Sequence, residues 1–351
     1  MLESKVNILL GLEKTLLLHS GTHKTASSYI QMRLLSNKKN FKNLGVKLLD
    51  IDAKVSGNKI LPVIIRSQNL DQLKYFLKCR SRYSTLIYSA EQCTRPLILE
   101  NRLEWFVGAL ESLGFKLRLA FFLRDQPDYI NSMYIHSLKK FRHTLDISDY
   151  ISLCLEEKRD RFDYNYIFSS LLKSSRLDVE FLPYGKQFGD PFERLMALPG
   201  WLPGYQGQWL SSAKNFVNEQ PGIKGVYLAL KVSRQLIRLG VDTASLVKRS
   251  GYVEKYIAPL GWSRDRYFGL KQDQVQYIRQ FYNSSNNQFS CKVWSDKSWQ
   301  SVFAGQKLQS HNVVDENKLS FAEKEEMNRL ALKIIEDLRH SSPGSFPGNS
   351  P

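Results

Sequence analysis

Cysteine is scarce in this chain. Its 351 residues hold four, Cys79, Cys93, Cys154 and Cys291, with no CxxC pair and no histidine spaced to join them. That pattern excludes a disulfide framework and a thiolate zinc site, and it predicts buried free thiols in a reducing compartment. Long apolar runs are missing as well. No run approaches the roughly 18 residues of a membrane-spanning helix. The amino-terminal stretch MLESKVNILLGLEK breaks its short apolar run with a glutamate, a poor secretory signal. A cytoplasmic protein without an anchor is the expectation. Acidic residues are in deficit: 34 stand against 50 basic ones, a net charge of +16. Such a surplus favours an anionic partner, whether nucleotide, acidic glycan, nucleic acid or anionic membrane.

With 42% hydrophobic and 24% charged residues and no internal repeat, the composition is that of a globular protein with a sizeable core. Apolar runs of strand length, Thr15–His19, Val46–Leu49, Thr85–Ser89, Lys116–Leu123 and Leu177–Pro183, alternate with helical patterns. The helical stretches are Thr25–Leu35, Asn69–Cys79, Arg102–Leu113 (closed by Gly114), Pro127–Phe141 and Tyr164–Lys173. This order predicts an α/β fold with a central, mainly parallel sheet flanked by helices. The second half reads as helical and loop-rich, with helices over Ile223–Leu239, Gln272–Asn283 and Phe321–Arg339. One domain is expected over residues 1–339, with 189–222 as a loop-rich insertion and 340–351 as a disordered tail.

The most informative stretch is LLLHSGTHKTASSYIQ, Leu16 to Gln31. An apolar strand runs into Gly21, Thr22, His23, Lys24, Thr25, Ala26, Ser27 and Ser28, then into a helix that hydroxyl residues can cap. A small-residue turn of this kind aims backbone N–H groups, a lysine and hydroxyls at one point, as a phosphate or sulfate group requires. It is not a Walker A loop, because Lys24 follows Gly21 by only three residues and no second glycine precedes it. The second stretch is LRLAFFLRDQPDYINSMYIHSLK, in which Arg124 ends the strongest strand and Ser132 lies eight residues on in the next helix. Ligands of parallel α/β sheets bind beyond the carboxyl ends of strands. A guanidinium fork and a hydroxyl could therefore meet one phosphate there, or Arg124 could pair with a carboxylate and Ser132 face solvent.

Together the two stretches resemble the sulfotransferase family that uses 3′-phosphoadenosine 5′-phosphosulfate (PAPS), in its bacterial polysaccharide-type branch. Gly21 to Ser28 looks like the family's 5′-phosphosulfate loop. Arg124, with Tyr129, Ser132 and Tyr134, looks like its 3′-phosphate motif, and Ser284–Trp294 resembles a weaker C-terminal signature. Ala26 stands where the family often has glycine, which is tolerable if its φ is negative. The resemblance implies sulfuryl transfer from PAPS to a hydroxyl, less readily an amine, of an acceptor, with a saccharide expected and nucleic acid not. It implies that Lys24 and the loop amides stabilise the leaving phosphate without a metal. Thr25, Ser27 and Ser28 would hold the 5′-phosphate, and Arg124 and Ser132 the 3′-phosphate. Glu91, just after the strand Thr85–Ser89, is the implied general base, with His23 and His136 next in line. Two other readings stand beside it: a P-loop nucleotide kinase that needs Mg²⁺, and a non-catalytic basic polyanion-binding protein on a sulfotransferase scaffold. The cluster Lys139, Lys140, Arg142 and His143 could grip an acidic glycan or merely complement a helix end. Trp201, Tyr205 and Trp209 could stack on sugars or pack the core.

Overall fold

A computed structural model describes residues 14–49, 60–78, 83–157, 159–174, 177–202, 207–211, 221–244, 246, 251–307 and 309–341. The chain forms two compact units. The first comprises Met1–Asp125, Asp163–Phe216 and Asn283–Gln306, and the second Gln126–Phe162, Val217–Tyr282 and Lys307–Pro351.

The first unit is built on a five-stranded sheet of β1 (Lys14–His19), β2 (Val46–Leu48), β3 (Thr85–Ser89), β4 (Phe115–Arg124) and β5 (Asp178–Tyr184), in the order β2-β3-β1-β4-β5. Every pairing is parallel. The apolar runs explain the arrangement. Leu16, Leu17 and Leu18 of β1 and Leu119 to Leu123 of β4 are fully buried, as strands covered on both faces must be. Helices α1 (Ser27–Ser36) and α2 (Leu103–Ser112) follow β1 and precede β4, and Gly114, at φ 75°, ends the turn after α2.

One side of the sheet is closed by Ile30 and Leu34 of α1, a turn apart, packed with Phe41, Leu17, Ile87, Phe122, Phe192 and Trp201. Trp201 is buried there, and Trp209 stacks on Phe41 at 5.0 Å and meets Phe192 edge-on at 5.5 Å. Trp201 is a core side chain and Trp209 a half-buried one packed against that core; Tyr205 lies outside the described residues. The stretch 189–222 also contains a helix, Pro191–Met196, capped by Asp190, whose carboxylate accepts from the Phe192 and Glu193 amides.

The helix expected over Tyr164–Lys173 is two short ones, Tyr164–Ile167 and Ser169–Lys173. Between them, buried Phe168 leaves helical geometry and packs on Phe181 at 4.9 Å. The signature region Ser284–Trp294 is helical. Its Trp294 indole N–H donates to the Phe181 carbonyl at 2.7 Å, so this stretch anchors β5.

The second unit is helical: α3 (Gln126–Leu138), Ile147–Glu157, α4 (Gly222–Arg238), the first half of α5 (Gln272–Val293) and α6 (Phe321–Ser341). Helix α3 starts one residue before Pro127 and stops at Leu138 instead of Phe141, where Phe141 takes φ 55°. Two members of the basic cluster after α3 are engaged internally: Lys139 pairs with Glu254, and His143 lies between Tyr134 and Tyr150 with its Nε2 3.0 Å from the Ser137 hydroxyl, while Arg142 is exposed. Among the described cysteines Cys93 and Cys154 are buried, while Cys291 is exposed on α5, against the expectation of buried thiols. Residues 342–351 of the expected tail lie outside the described residues. No described helix is long and apolar enough to cross a membrane.

Candidate functional site

The chain leaves β1 to build β2 and β3 on one side, then crosses to build β4 on the other. The carboxyl end of β1 is therefore the point where strand order reverses, the usual ligand crevice of an open parallel sheet. Three candidate segments of the first unit begin at strand ends around this point: the loop Ser20–Ala26 after His19, Glu91 after Ser89, and Arg124 itself. The Ser20 amide donates to the Ala120 carbonyl at 3.0 Å and the Ala90 amide to the His19 carbonyl at 3.0 Å, which fixes their relative positions.

The loop is held from inside by its own hydroxyls. Thr22 donates to the Phe122 carbonyl at 3.0 Å and Thr25 to the Thr22 carbonyl at 2.6 Å. The Ser20 and Thr94 hydroxyls are 2.8 Å apart, and Thr94 donates to the Gly21 carbonyl at 2.9 Å. Lys24 at φ 68° and Ala26 at φ 64° are both left-handed, flanking Thr25, which is not. Alternation of this kind turns successive N–H groups toward one side, an anion-binding nest. Helix α1 starts at Ser27 rather than Thr25, and its N-cap is Ala26, with no side-chain cap. Its first amides receive no cap from the Ala26 side chain, at the helix end where the dipole favours negative charge.

The positive φ of Ala26 does not meet the condition under which alanine is tolerable there and gives a physical reason for a glycine. A left-handed L-residue costs about 1–2 kcal/mol, against roughly 0.4–1 kcal/mol for the added unfolded-state entropy of glycine. Ala26→Gly should thus stabilise the protein by up to about 1.6 kcal/mol, a rise of roughly 3–6 °C in thermal midpoint at most, read by calorimetry.

Arg124 is brought to the loop: its Nη1 donates to the Lys24 carbonyl at 3.2 Å, and its guanidinium lies 5.8 Å from the Tyr184 ring centre. The buried Tyr164 hydroxyl donates to the Arg124 carbonyl at 2.8 Å and secures the strand end. Glu91 opens a 3₁₀ turn, with its carboxylate 3.3 Å from His23 Nδ1. Burial acts to raise the Glu91 pKa, but hydrogen bonding and charge from His23, the charge of Lys24 and the Ser27 hydroxyl together hold it below the usual carboxylate value. Glu91 is thus ionised at neutral pH. Ser132 and His136 lie on α3 of the second unit, Ser132 buried and His136 half-buried.

Sequence reasoning passed over His19, Ser89 and Thr94. The one signal was a histidine ending an otherwise apolar strand. His19 is fully buried with Nδ1 2.8 Å from the Ser89 hydroxyl, and its edge meets Phe122 at 5.6 Å. Burial lowers its pKa from 6.5 to about 4, against a smaller opposing pull from Glu91. Below pH 6.5 the unfolded chain takes up this proton and the folded one does not until about pH 4. Stability is therefore complete above pH 6.5 and falls between 6.5 and 4 by roughly 3 kcal/mol in all. Urea midpoints across this range should show that slope in the wild type and a flatter one in His19→Leu.

No cluster of three or more metal-ligating side chains occurs among the described residues. No family model and no curated protein matches the chain. Among solved structures the chain is similar to the crystal structure of retinol dehydratase in complex with androsterone and inactive cofactor PAP. The two are 13% identical, and the match covers 93% of this chain and 80% of that one with a TM-score of 0.24.

Proposed function

We propose that the chain is a PAPS-dependent sulfotransferase whose loop Gly21–Ser28 receives the 5′-phosphosulfate and which sulfates a hydroxyl of a saccharide. The observation that carries this reading is the uncapped start of α1 behind a left-handed Lys24 and Ala26, with Arg124 tied to the Lys24 carbonyl. Two cationic side chains and a row of amides are gathered at one strand end, the environment a phosphosulfate anhydride needs. The spacing lacks the Gly-Lys-Thr of a Mg²⁺-nucleotide loop.

In this reading Lys24 and the loop amides stabilise charge developing on the bridging oxygen of the leaving phosphate. Ser28 contributes its hydroxyl and amide to the 5′-phosphate, and Ser27 its amide, its hydroxyl facing Glu91. Thr22 and Thr25 contribute amides alone, since their hydroxyl protons are committed within the loop. Arg124 takes the 3′-phosphate, the role the resemblance also gives Ser132. Proton removal from the acceptor is assigned to Glu91 with His23. The carboxylate can take the proton directly, or it can stabilise the imidazolium formed when His23 takes it at Nε2.

The test is a thermal-shift titration with 3′-phosphoadenosine 5′-phosphate (PAP), ADP and AMP, in EDTA and in Mg²⁺. A ligand at a hundredfold excess over its Kd stabilises by about 2.7 kcal/mol. PAP should stabilise without metal, and Arg124→Ala should remove that gain. A shift with ADP only in Mg²⁺ would favour the kinase reading. Salt-sensitive polyanion binding with no response to any nucleotide would favour the binding protein. An acceptor screen with PAPS and saccharides follows a positive result.

A further inference from the structure

The turn after β3 carries one hydroxyl that its own helix does not use. Thr94 precedes the π-helical turn Arg95–Leu99, where a threonine side chain ordinarily accepts from the first free amides, yet it makes no such bond. Its hydroxyl is turned to the loop after β1 instead. It donates to the Gly21 carbonyl at 2.9 Å and stands 2.8 Å from the Ser20 hydroxyl. Thr94 has one proton to give and gives it to Gly21, so Ser20 is the donor of the second bond. Three residues before Thr94 stands Glu91, at the start of the 3₁₀ turn Glu91–Cys93. That turn is fastened ahead of Glu91 by the Ala90 amide, which donates to the His19 carbonyl at 3.0 Å. Behind Glu91 it is fastened by Thr94. The carboxylate is thus bracketed by two bonds, one to the end of β1 and one to the loop.

We infer that Thr94 is a positioning residue of the transfer reaction, its hydroxyl setting the turn that bears Glu91 against the loop Gly21–Ser28. The inference rests on the sulfotransferase reading above and adds to it a residue that acts through Glu91. In that reading the base must lie within hydrogen-bond reach of the acceptor proton while the loop holds the sulfuryl donor. Both distances follow from how far the Glu91 turn stands from the loop, and a misplacement of about 1 Å can cost about 10²-fold in rate. The loop itself keeps its shape without Thr94, through the bonds from Thr22 to the Phe122 carbonyl and from Thr25 to the Thr22 carbonyl. Glu91 has no such reserve. Its contact with His23 is made to a side chain that is 54% exposed, a loosely held partner. Lys24 and the Ser27 hydroxyl also face Glu91, as does the charge-free buried His19. Arg95, on the next turn, is taken up by Glu100.

The test is a ¹³C NMR titration of the Glu91 carboxyl in the full chain, joined to calorimetry with PAP and to kinetics with PAPS and the saccharide an acceptor screen returns. Thr94→Val keeps the side-chain shape and removes the hydroxyl. The Glu91 pKa should rise toward its ordinary value as the turn moves off His23 and Lys24. At the same time kcat should fall about tenfold to a hundredfold, while PAP affinity stays within about threefold of wild type. Thr94→Ser keeps the hydroxyl and should restore the titration and kcat. Ser20→Ala, which frees the Thr94 hydroxyl to rotate off Gly21, should move the titration the same way and serves if Thr94→Val does not fold. A merely structural Thr94 would lower the thermal midpoint of Thr94→Val and leave the Glu91 titration and kcat in place, which overturns the inference. Equal losses in Thr94→Val and Thr94→Ser overturn it too, as does a fall in PAP affinity that matches the fall in kcat. A wild type that binds no PAP overturns the donor-site reading instead. The Glu91 titration needs no ligand, and it then still decides whether Thr94 holds that carboxylate in place.

Discussion

On the proposed sulfotransferase reading, Lys24→Ala should lower kcat/KM for PAPS-dependent transfer by about 10²–10³, equivalent to about 2.7–4 kcal/mol of transition-state stabilisation. The substitution is specific for charge. Alanine keeps the β-carbon, so the left-handed backbone at φ 68° is no more strained than before. The Arg124 hydrogen bond survives because it is made to the Lys24 carbonyl and not to its side chain. The threonine bonds that shape the loop do not involve Lys24. The ammonium alone is removed, and with it the positive charge that the proposal sets against the negative charge building on the departing phosphate. A second consequence follows at Glu91. The charge of Lys24 is one of the influences holding that carboxylate below its ordinary pKa, so the variant should show the acid limb of its rate profile displaced upward. Measuring PAP release from PAPS against pH, with an acceptor, reads both effects. An unchanged kcat at saturating PAPS would remove Lys24 from the reaction.

Gly222→Ala should destabilise the second unit by roughly 2–5 kcal/mol. Gly222 is the first residue of α4, is buried, and has φ 68°. An added Cβ would lie 1.8 Å from the Trp262 carbonyl oxygen and 2.9 Å from that of Asp265. Both obstacles are backbone, so no rotamer change relieves them, and the Asp265 carbonyl is also bonded to the Ile223 amide at 3.0 Å. Left-handed strain contributes about 1–2 kcal/mol and overpacking about 1–3 kcal/mol. Urea unfolding should show a lower midpoint. A change within about 0.5 kcal/mol, the range of ordinary surface substitutions, would mean that the Trp262–Asp265 segment yields without penalty.

Much of the first unit was legible because its strands are buried on both faces. Such strands declare themselves as uninterrupted apolar runs, and Thr85–Ser89 was bounded to the residue. Helix ends were less legible. The hydroxyls of 20–28 read as caps and anion ligands, yet Thr22 and Thr25 bond to carbonyls, one of them a hundred residues away on β4. A hydroxyl's partner depends on what folds beside it, and residue type does not disclose that. The aromatics of the 189–222 stretch were ambiguous for the same reason, since an indole suits a sugar face or a core equally. Packing of Trp201 and Trp209 around Phe41 and Phe192 decided it.

The sequence by itself determined the parallel α/β class, the strand–turn–helix at Leu16–Gln31 and the identities of Lys24, Glu91 and Arg124 as groups at strand ends. These follow from local patterns of period and charge. Only the tertiary structure decided that Arg124 rests on the Lys24 carbonyl, that Glu91 pairs with His23, and that Ala26 is left-handed. It alone made His19 a buried imidazole with its Nδ1 beside the Ser89 hydroxyl. The three contacts depend on the distance between segments roughly seventy to a hundred residues apart in sequence. Burial, pKa and hydrogen-bond partners are properties of that proximity, which only strand pairing across the sheet creates.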